Sequence, residues 1–314
     1  MVRVGGDMPG IIEVEKLTKS YGGKRGIIDV SFDVGEGEVF GFLGPNGAGK
    51  TTTIRILMAL LRADSGVARI GGLDCWTKSV DVKKFIGYVP GEPSLDNNLT
   101  GGQILEYFAN LRGGVDRKYL SSLIDRFDLD TSRKFRQYST GNKRKVVLIQ
   151  AFMHQPRVLV LDEPTSGLDP LNQQQFDEMV GEARDAGRTV FLSSHVLSEV
   201  EKTCSRVGII RDGRLVRVAG VAELKDIKRY EVTIHFGQPV STEAFERLEG
   251  VTHVEKLDDA SIRIAIQGTA DAVIKAAARY PVISLTSYEP SLEDIFLRYY
   301  EGDGAVAKEG AGVV

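Results

Sequence analysis

Hydrophobic positions along the chain fall into short blocks of strand period, separated by longer blocks of helical period. Alternation predicts strands over 11–17 and 27–34. Residues 38–43 form a short apolar strand, followed at once by a glycine-rich loop and then by helical composition over 50–61. Further strands are expected at 67–70, 86–89, 158–161, 189–192 and 207–210, with helices near 102–111, 117–127, 142–154, 171–186 and 196–202. Asp212-Gly213 is a hairpin signal between 207–210 and a strand at 214–218. Every residue of 158–161 is apolar, as in a strand covered on both faces. The expected class is α/β, with an antiparallel β part and helical segments inserted before residue 140.

From about residue 221 the pattern changes. A strand at 230–236 and a helix at 242–248 precede strands at 251–257 and 261–266, a helix at 270–278 and a strand at 282–287. This β-α-β-β-α-β order resembles a ferredoxin-like domain and marks 221–300 as a small α+β accessory unit after a main domain over 11–220. A closing helix over 291–300 starts at Ser291, with Glu293 and Asp294 in its first turn, where a helix favours acids. Residues 1–10 read as a loose leader, and the Gly/Ala-rich 301–314 as a disordered tail.

Composition narrows the classes. A length of 314 residues fits one large domain or two modest ones. The net charge of −3 speaks against nucleic-acid binding as the main task. Cys75 and Cys204 are too few for a disulfide framework or a zinc site, which fits a reducing cytosol. No apolar run reaches the length of about 18 residues that a spanning helix needs. The first ten residues, MVRVGGDMPG, lack an apolar signal core, so secretion is not expected and a membrane role would come through a partner.

The chemistry begins at Gly44–Thr51, which reads GPNGAGKT and completes the phosphate-loop pattern G-x-x-x-x-G-K-[ST]. Strand, glycine loop and helix follow in the order that gives the pattern its mechanism. Glycines 44, 47 and 49 let backbone N–H groups approach phosphate oxygens. The helix beginning at Lys50 points its positive end at the same anion. Gly44, Pro45, Asn46, Gly47, Ala48, Gly49, Lys50, Thr51 and Thr52 are therefore the expected nucleotide contacts. Lys50 is expected on the β- and γ-phosphates and the Thr51 hydroxyl on Mg²⁺. Asp162 and Glu163 close the buried strand, at the edge where open parallel sheets gather ligands. Asp162 is expected to meet the Mg²⁺ and Glu163 to polarise an attacking water. An acidic helix N-cap after a strand would look the same if the phosphate loop were absent. ATP binding and hydrolysis are the activity these residues predict.

Two further stretches are less specific. In YSTGNKRK, Tyr138–Lys145, cations Lys143, Arg144 and Lys145 crowd the start of a helix, where acids are favoured. A docked anion explains that reversal, and so does a solvated basic face. His195 ends the apolar strand in FLSSH, at the same sheet edge, where imidazole can meet a γ-phosphate or the attacking water. Tyr21, before Gly22-Gly23, is a candidate platform for a nucleobase or an ordinary packed aromatic. His154, His235 and His253 have no partner legible in the sequence.

Taken in order, these motifs resemble the ATP-binding cassette (ABC) family over residues 11 to about 220. GPNGAGKTT is similar to the family's phosphate loop, and Tyr21 falls where the family stacks an aromatic on adenine. YSTGN is similar to its signature loop, LDEPTSGLDP to its magnesium-and-base motif with the dimer-contact loop Ser166–Asp169, and His195 to its switch histidine. The resemblance implies an ATP sandwich between two copies, or between this chain and a similar subunit. Ser139 and Gly141 of one subunit would then meet the γ-phosphate held by the other, and the first-turn cations would attract it. It also implies a separate integral-membrane subunit driven by opening and closing, which would place this chain at the cytoplasmic face of the membrane. SLEDIFLRYY, residues 291–300, is similar to ATPase subunits of drug, antibiotic, lipid or polysaccharide-type exporters.

Two positions depart from the family. Thr140 stands where the signature usually has glycine, which would hold the backbone further from phosphate. Gly91, after IGYVP, stands where the family usually has a glutamine near the metal, and Glu92 is the neighbour that would shift in. Slower hydrolysis or altered coupling follows from either. A soluble non-transport ABC ATPase and an ATP-sensing regulatory module remain alternatives to an export ATPase.

Overall fold

Strands that are apolar on both faces need cover above and below. The computed structural model describes residues 10–22, 26–225 and 229–288 and divides between Gly220 and Val221 into two compact units. The closing helix expected at 291–300 and the tail at 301–314 lie outside the described residues, as does the leader up to residue 9.

In the first unit, β1 (Ile12–Ser20), β2 (Gly26–Val34), β4 (Ser65–Ile70) and β5 (Leu73–Asp74) form an antiparallel sheet in the order β2-β1-β4-β5. The main sheet has six strands: β3 (Val39–Leu43), β6 (Ile86–Val89), β7 (Val158–Asp162), β8 (Thr189–Ser194), β9 (Arg206–Arg211) and β10 (Arg214–Gly220). Their order is β10-β9-β3-β8-β7-β6, parallel except for the β9–β10 hairpin. Asp212 and Gly213 turn that hairpin with φ of 48° and 75°, the left-handed pair that a type I′ turn requires. The two sheets meet through aromatics. Phe32 of β2 stacks on Phe40 of β3 at 5.5 Å and on Phe191 of β8 at 5.6 Å.

Helices α1 (Lys50–Leu57), α2 (Ser79–Lys84), α3 (Gly101–Leu111), α4 (Arg117–Arg126), α5 (Thr140–Phe152), α6 (Pro170–Asp185) and α7 (Leu197–Thr203) complete this unit. α1 stops four residues short of the sequence expectation, because Ala59 enters the left-handed region at φ 51° and Leu60 and Leu61 fold back to the Arg55 carbonyl. α2 buries only Val82 and so shows no apolar period to read. α5 starts earlier than expected, because the Ser139 hydroxyl accepts from the Asn142 N–H and caps it.

α5 lies so close to β6 that only glycine fits at residue 87: a Cβ there would sit 2.2 Å from the Ala151 carbonyl oxygen and 2.8 Å from Leu159. Gly87→Ala is therefore expected to destabilise this unit by about 1–3 kcal/mol, read as a lower urea midpoint. An unchanged midpoint would mean that α5 slides without cost.

In the second unit, α8 (Val221–Lys225) precedes β11 (Arg229–Phe236), α9 (Glu243–Glu246), β12 (Val251–Asp258), β13 (Ser261–Gln267), α10 (Asp271–Ala277) and β14 (Val282–Tyr288). The sheet runs β12-β13-β11-β14 with every neighbouring pair antiparallel, so α9 and α10 each link two strands that have another strand between them. Alternation puts Val232, Ile234 and Phe236 on one face with Ile262, Ile264 and Ile266, packed with Phe245 and Val273. Among the described residues, no helix is long and apolar enough to cross a membrane.

Candidate nucleotide-binding and hydrolysis site

The phosphate loop leaves β3 at Leu43 and enters α1 at Lys50. Gly47 and Gly49 hold φ of 83° and 112°, where an L side chain is strained. At Gly44 a Cβ would meet the Ile210 carbonyl oxygen at 2.4 Å. Gly49 caps α1 with no side-chain acceptor, so the first helical amides are directed at whatever the loop holds. The β9–β10 turn clasps the loop from below. The Gly213 N–H donates to the Ala48 carbonyl at 3.0 Å, and the Gly213 carbonyl accepts from the Ile28 N–H at 2.7 Å. Ala48 is buried, Asn46 and Gly47 are exposed, and Pro45, Thr51 and Thr52 are half-buried. Tyr21 is exposed one residue past the Ser20–Gly26 strand pair, and the Gly26 carbonyl lies beside Gly49.

Strand register brings the remaining chemistry to the same edge. Leu43 pairs with Ser194 and Asp162 with Ser193, so three adjacent strand ends carry the phosphate loop, His195 and the acidic pair. Lys50 is only 4% exposed; its Nζ donates to the Gly44 carbonyl at 2.6 Å and the Pro45 carbonyl at 3.1 Å. The same ammonium lies 3.2 Å from Glu163 Oε1, and His195 Nδ1 lies 3.2 Å from Glu163 Oε2. Lys50, Glu163 and His195 thus form one connected run. Glu163 occupies the left-handed region at φ 46°, a strained conformation for glutamate of the kind held at functional sites. Ser193 steadies both acids: its Oγ donates to Asp162 Oδ1 at 2.7 Å and accepts from the Glu163 N–H at 3.0 Å.

Asp162 is fully buried, and among the described residues its Oδ2 has no hydrogen-bond partner. A buried carboxylate oxygen without a donor is costly unless a cation meets it. Together with the Thr51 hydroxyl it offers the hard oxygen donors that Mg²⁺ prefers, so the residues fit that ion. Gly91 faces the same oxygen: a Cβ there would lie 3.1 Å from Asp162 Oδ2, so a side chain at 91 would crowd the carboxylate. Glu92 is exposed. Among the described residues no group of three or more His, Cys, Asp and Glu could hold a metal by itself.

The signature segment is placed differently. Ser139 and Thr140 are exposed at the start of α5, and a Cβ on Gly141 would meet the Gly167 carbonyl at 2.9 Å. Among the described residues no hydrogen bond or ion pair joins Ser139 or Gly141 to the phosphate loop. The basic cluster, open from sequence to either a docked anion or a solvated face, is engaged within the chain. The Arg144 side chain, 2% exposed, donates to the carbonyls of Pro90 at 2.7 Å, Gly91 at 2.5 Å and Ser166 at 3.3 Å. Lys145 donates to the Phe127 carbonyl at 2.8 Å, and Lys143 lies over the Phe135 ring at 5.5 Å. All three therefore have partners within the chain.

Ser193, Thr165 and Glu199 are functional candidates that sequence reasoning passed over, and Arg144 was read only as one cation of a cluster. The Glu199 carboxylate accepts from Thr165 Oγ1 at 2.6 Å and from Ser194 Oγ at 2.7 Å, tying the loop after the acidic pair to the residue before His195. One signal was available for Arg144: it shares a helical face with Val147, Leu148 and Ala151, all buried.

Residues 27–166 match the family described as ABC transporter, and residues 221–300 match the ATP-binding protein DrrA1-3-like, C-terminal domain. The uncharacterized ABC transporter ATP-binding protein YhcH of Bacillus subtilis is 35% identical over 92% of this chain and 96% of its own length. The daunorubicin resistance ATP-binding protein DrrA2 of Streptomyces coeruleorubidus is 33% identical over 96% of this chain and 98% of its own. The ATP-binding cassette MJ0796, solved as a dimer in a post-hydrolysis state with ADP and Pi, shares the fold at a TM-score of 0.60 and 21% identity, over 67% of this chain and 98% of its own. With relatives alike along nearly their whole lengths, the chain belongs to the ATP-binding proteins of the ABC transporter family.

Proposed function

We propose that this ABC ATPase powers export of drug- or antibiotic-type compounds through a separate membrane subunit, from the cytoplasmic face of the membrane. The run Lys50–Glu163–His195 beside buried Asp162 is the observation that carries the hydrolytic part. The daunorubicin resistance function named for a full-length relative supports the export part.

In this reading the loop amides and Lys50 bind the β- and γ-phosphates of ATP, and Tyr21 stacks on the base. The ammonium now shared by Glu163 and two carbonyls turns to the phosphates, which frees Glu163 Oε1 for a water. Glu163 accepts that water's proton as the oxygen attacks the γ-phosphorus and the bond to the β–γ bridging oxygen breaks, releasing ADP and phosphate, while His195 holds the other carboxylate oxygen. When bound by Thr51 and Asp162, Mg²⁺ supplies neutralisation of phosphate charge.

Two copies, or this chain and a similar subunit, sandwich the nucleotide, with Ser139 and Gly141 of one facing the γ-phosphate of the other. The exposure of Ser139 at a helix start and the dimeric state of the MJ0796 cassette support this arrangement. With saturating Mg-ATP, Glu163→Gln should double in mass by light scattering, and adding Ser139→Glu should return it to a monomer. A Glu163→Gln chain that stays single would count against the sandwich. Deleting the gene should raise accumulation of an anthracycline or peptide antibiotic in the cell, and the chain should co-purify with a polytopic membrane protein. Unchanged accumulation across such a panel, with recovery on ribosomes or DNA instead, would overturn the export reading.

A further inference from the structure

The Arg144 guanidinium reaches two different loops. Two of its nitrogens grip the segment after β6, at the Pro90 and Gly91 carbonyls, and Nε grips the loop after β7, at the Ser166 carbonyl. Each loop touches one member of the acidic pair. Gly91 is the residue beside Asp162 Oδ2. The Ser166 N–H donates to the Glu163 carbonyl at 3.2 Å, closing the turn that holds Glu163 in its left-handed conformation. Gly91 has no side chain with which to make such a link itself. Burial opposes the charge of Arg144, and the fields of Asp162 and Glu163 restore part of it. A planar fork with donors on both sides can bond carbonyls from two loops at once, whereas a lysine presents one point charge.

We propose that Arg144 is a positioning residue that fastens the 90–91 segment to the 163–166 turn and so keeps Glu163 aimed and Asp162 uncrowded. The inference rests on the assignment of Glu163 as the base. It makes Arg144 part of hydrolysis without contact to nucleotide, and it makes the two loops move together.

The test uses the full chain with Arg144→Lys and, as a second form, Arg144→Gln. Mg-ATP affinity, read by titration with a fluorescent ATP analogue, should stay within about threefold of the parent, because no phosphate contact is touched. KM should hold while kcat falls by about 10- to 100-fold, the cost of a misplaced reacting group. Hydrogen exchange should quicken in peptides covering 90–98 and 164–169 together. A lysine form with parental kcat, a kcat loss matched by an equal loss of affinity, faster exchange in one loop alone, or failure of both forms to fold would each overturn the proposal. If the parent itself neither binds nor hydrolyses ATP, the assignment of the site fails, which is a different result.

Discussion

Glu163→Gln is expected to bind Mg-ATP about as tightly as the parent chain and to lose turnover by about 10²- to 10⁴-fold, the usual share of a general base. The side chain keeps its size, and an amide oxygen can still face Lys50 or His195, now 3.2 Å from its two carboxylate oxygens. What disappears is the capacity to take a proton. The left-handed backbone at residue 163 is set by the chain around it, through the Ser193 hydroxyl on the Glu163 N–H and the turn to Ser166. The loss should therefore fall on kcat rather than KM. Phosphate release and nucleotide titration on the same preparation check it. Turnover at the parental rate would remove Glu163 from the proton path and leave His195 as the nearest alternative.

Lys50→Ala should affect both binding and chemistry. The ammonium is the buried donor to two loop carbonyls and the cation beside Glu163. Without it the Gly44 and Pro45 carbonyls lose their shared donor, and the phosphates lose a charge-assisted partner. Removing one such preorganised donor costs about 10²- to 10³-fold in turnover, and weaker nucleotide binding adds to that loss. Lys50→Met, which keeps most of the buried volume, separates charge from packing. Both variants should show flat phosphate release, and the methionine form should retain more of the parent's thermal stability. Hydrolysis that persists in both would mean that the loop amides alone hold the triphosphate.

Much of this was legible in the sequence, and the residues explain why. GPNGAGKT after an apolar strand is a local code, because glycine torsions and one lysine determine the loop. The apolar block at 158–161 announced a covered strand, and β7 is buried at every position. The hairpin at Asp212-Gly213 was readable because few residue pairs tolerate its torsions. The misses share a different cause. Lys143, Arg144 and Lys145 looked like one charged cluster, yet each side chain leaves the helix toward a different internal partner, and only the fold brings Pro90, Gly91 and Ser166 beside Arg144. Ser193 and Glu199 act through partners that lie 31 and 34 positions away at Asp162 and Thr165, a spacing no local pattern records. α2 and β5 were too short to show a period.

The β9–β10 tip also bears on how this chain can be labelled. Reverse turns at a surface are usual places to graft an epitope or a fluorophore. Here the turn glycine is bonded on one side to Ala48 and on the other to Ile28, so a graft at Gly213 is expected to pry open the floor of the phosphate loop and lower any activity that depends on it. The exposed Gly113-Gly114 turn is the better place for an inserted segment, with open space around both residues, but their φ of 79° and 110° would strain a side chain put on either glycine itself.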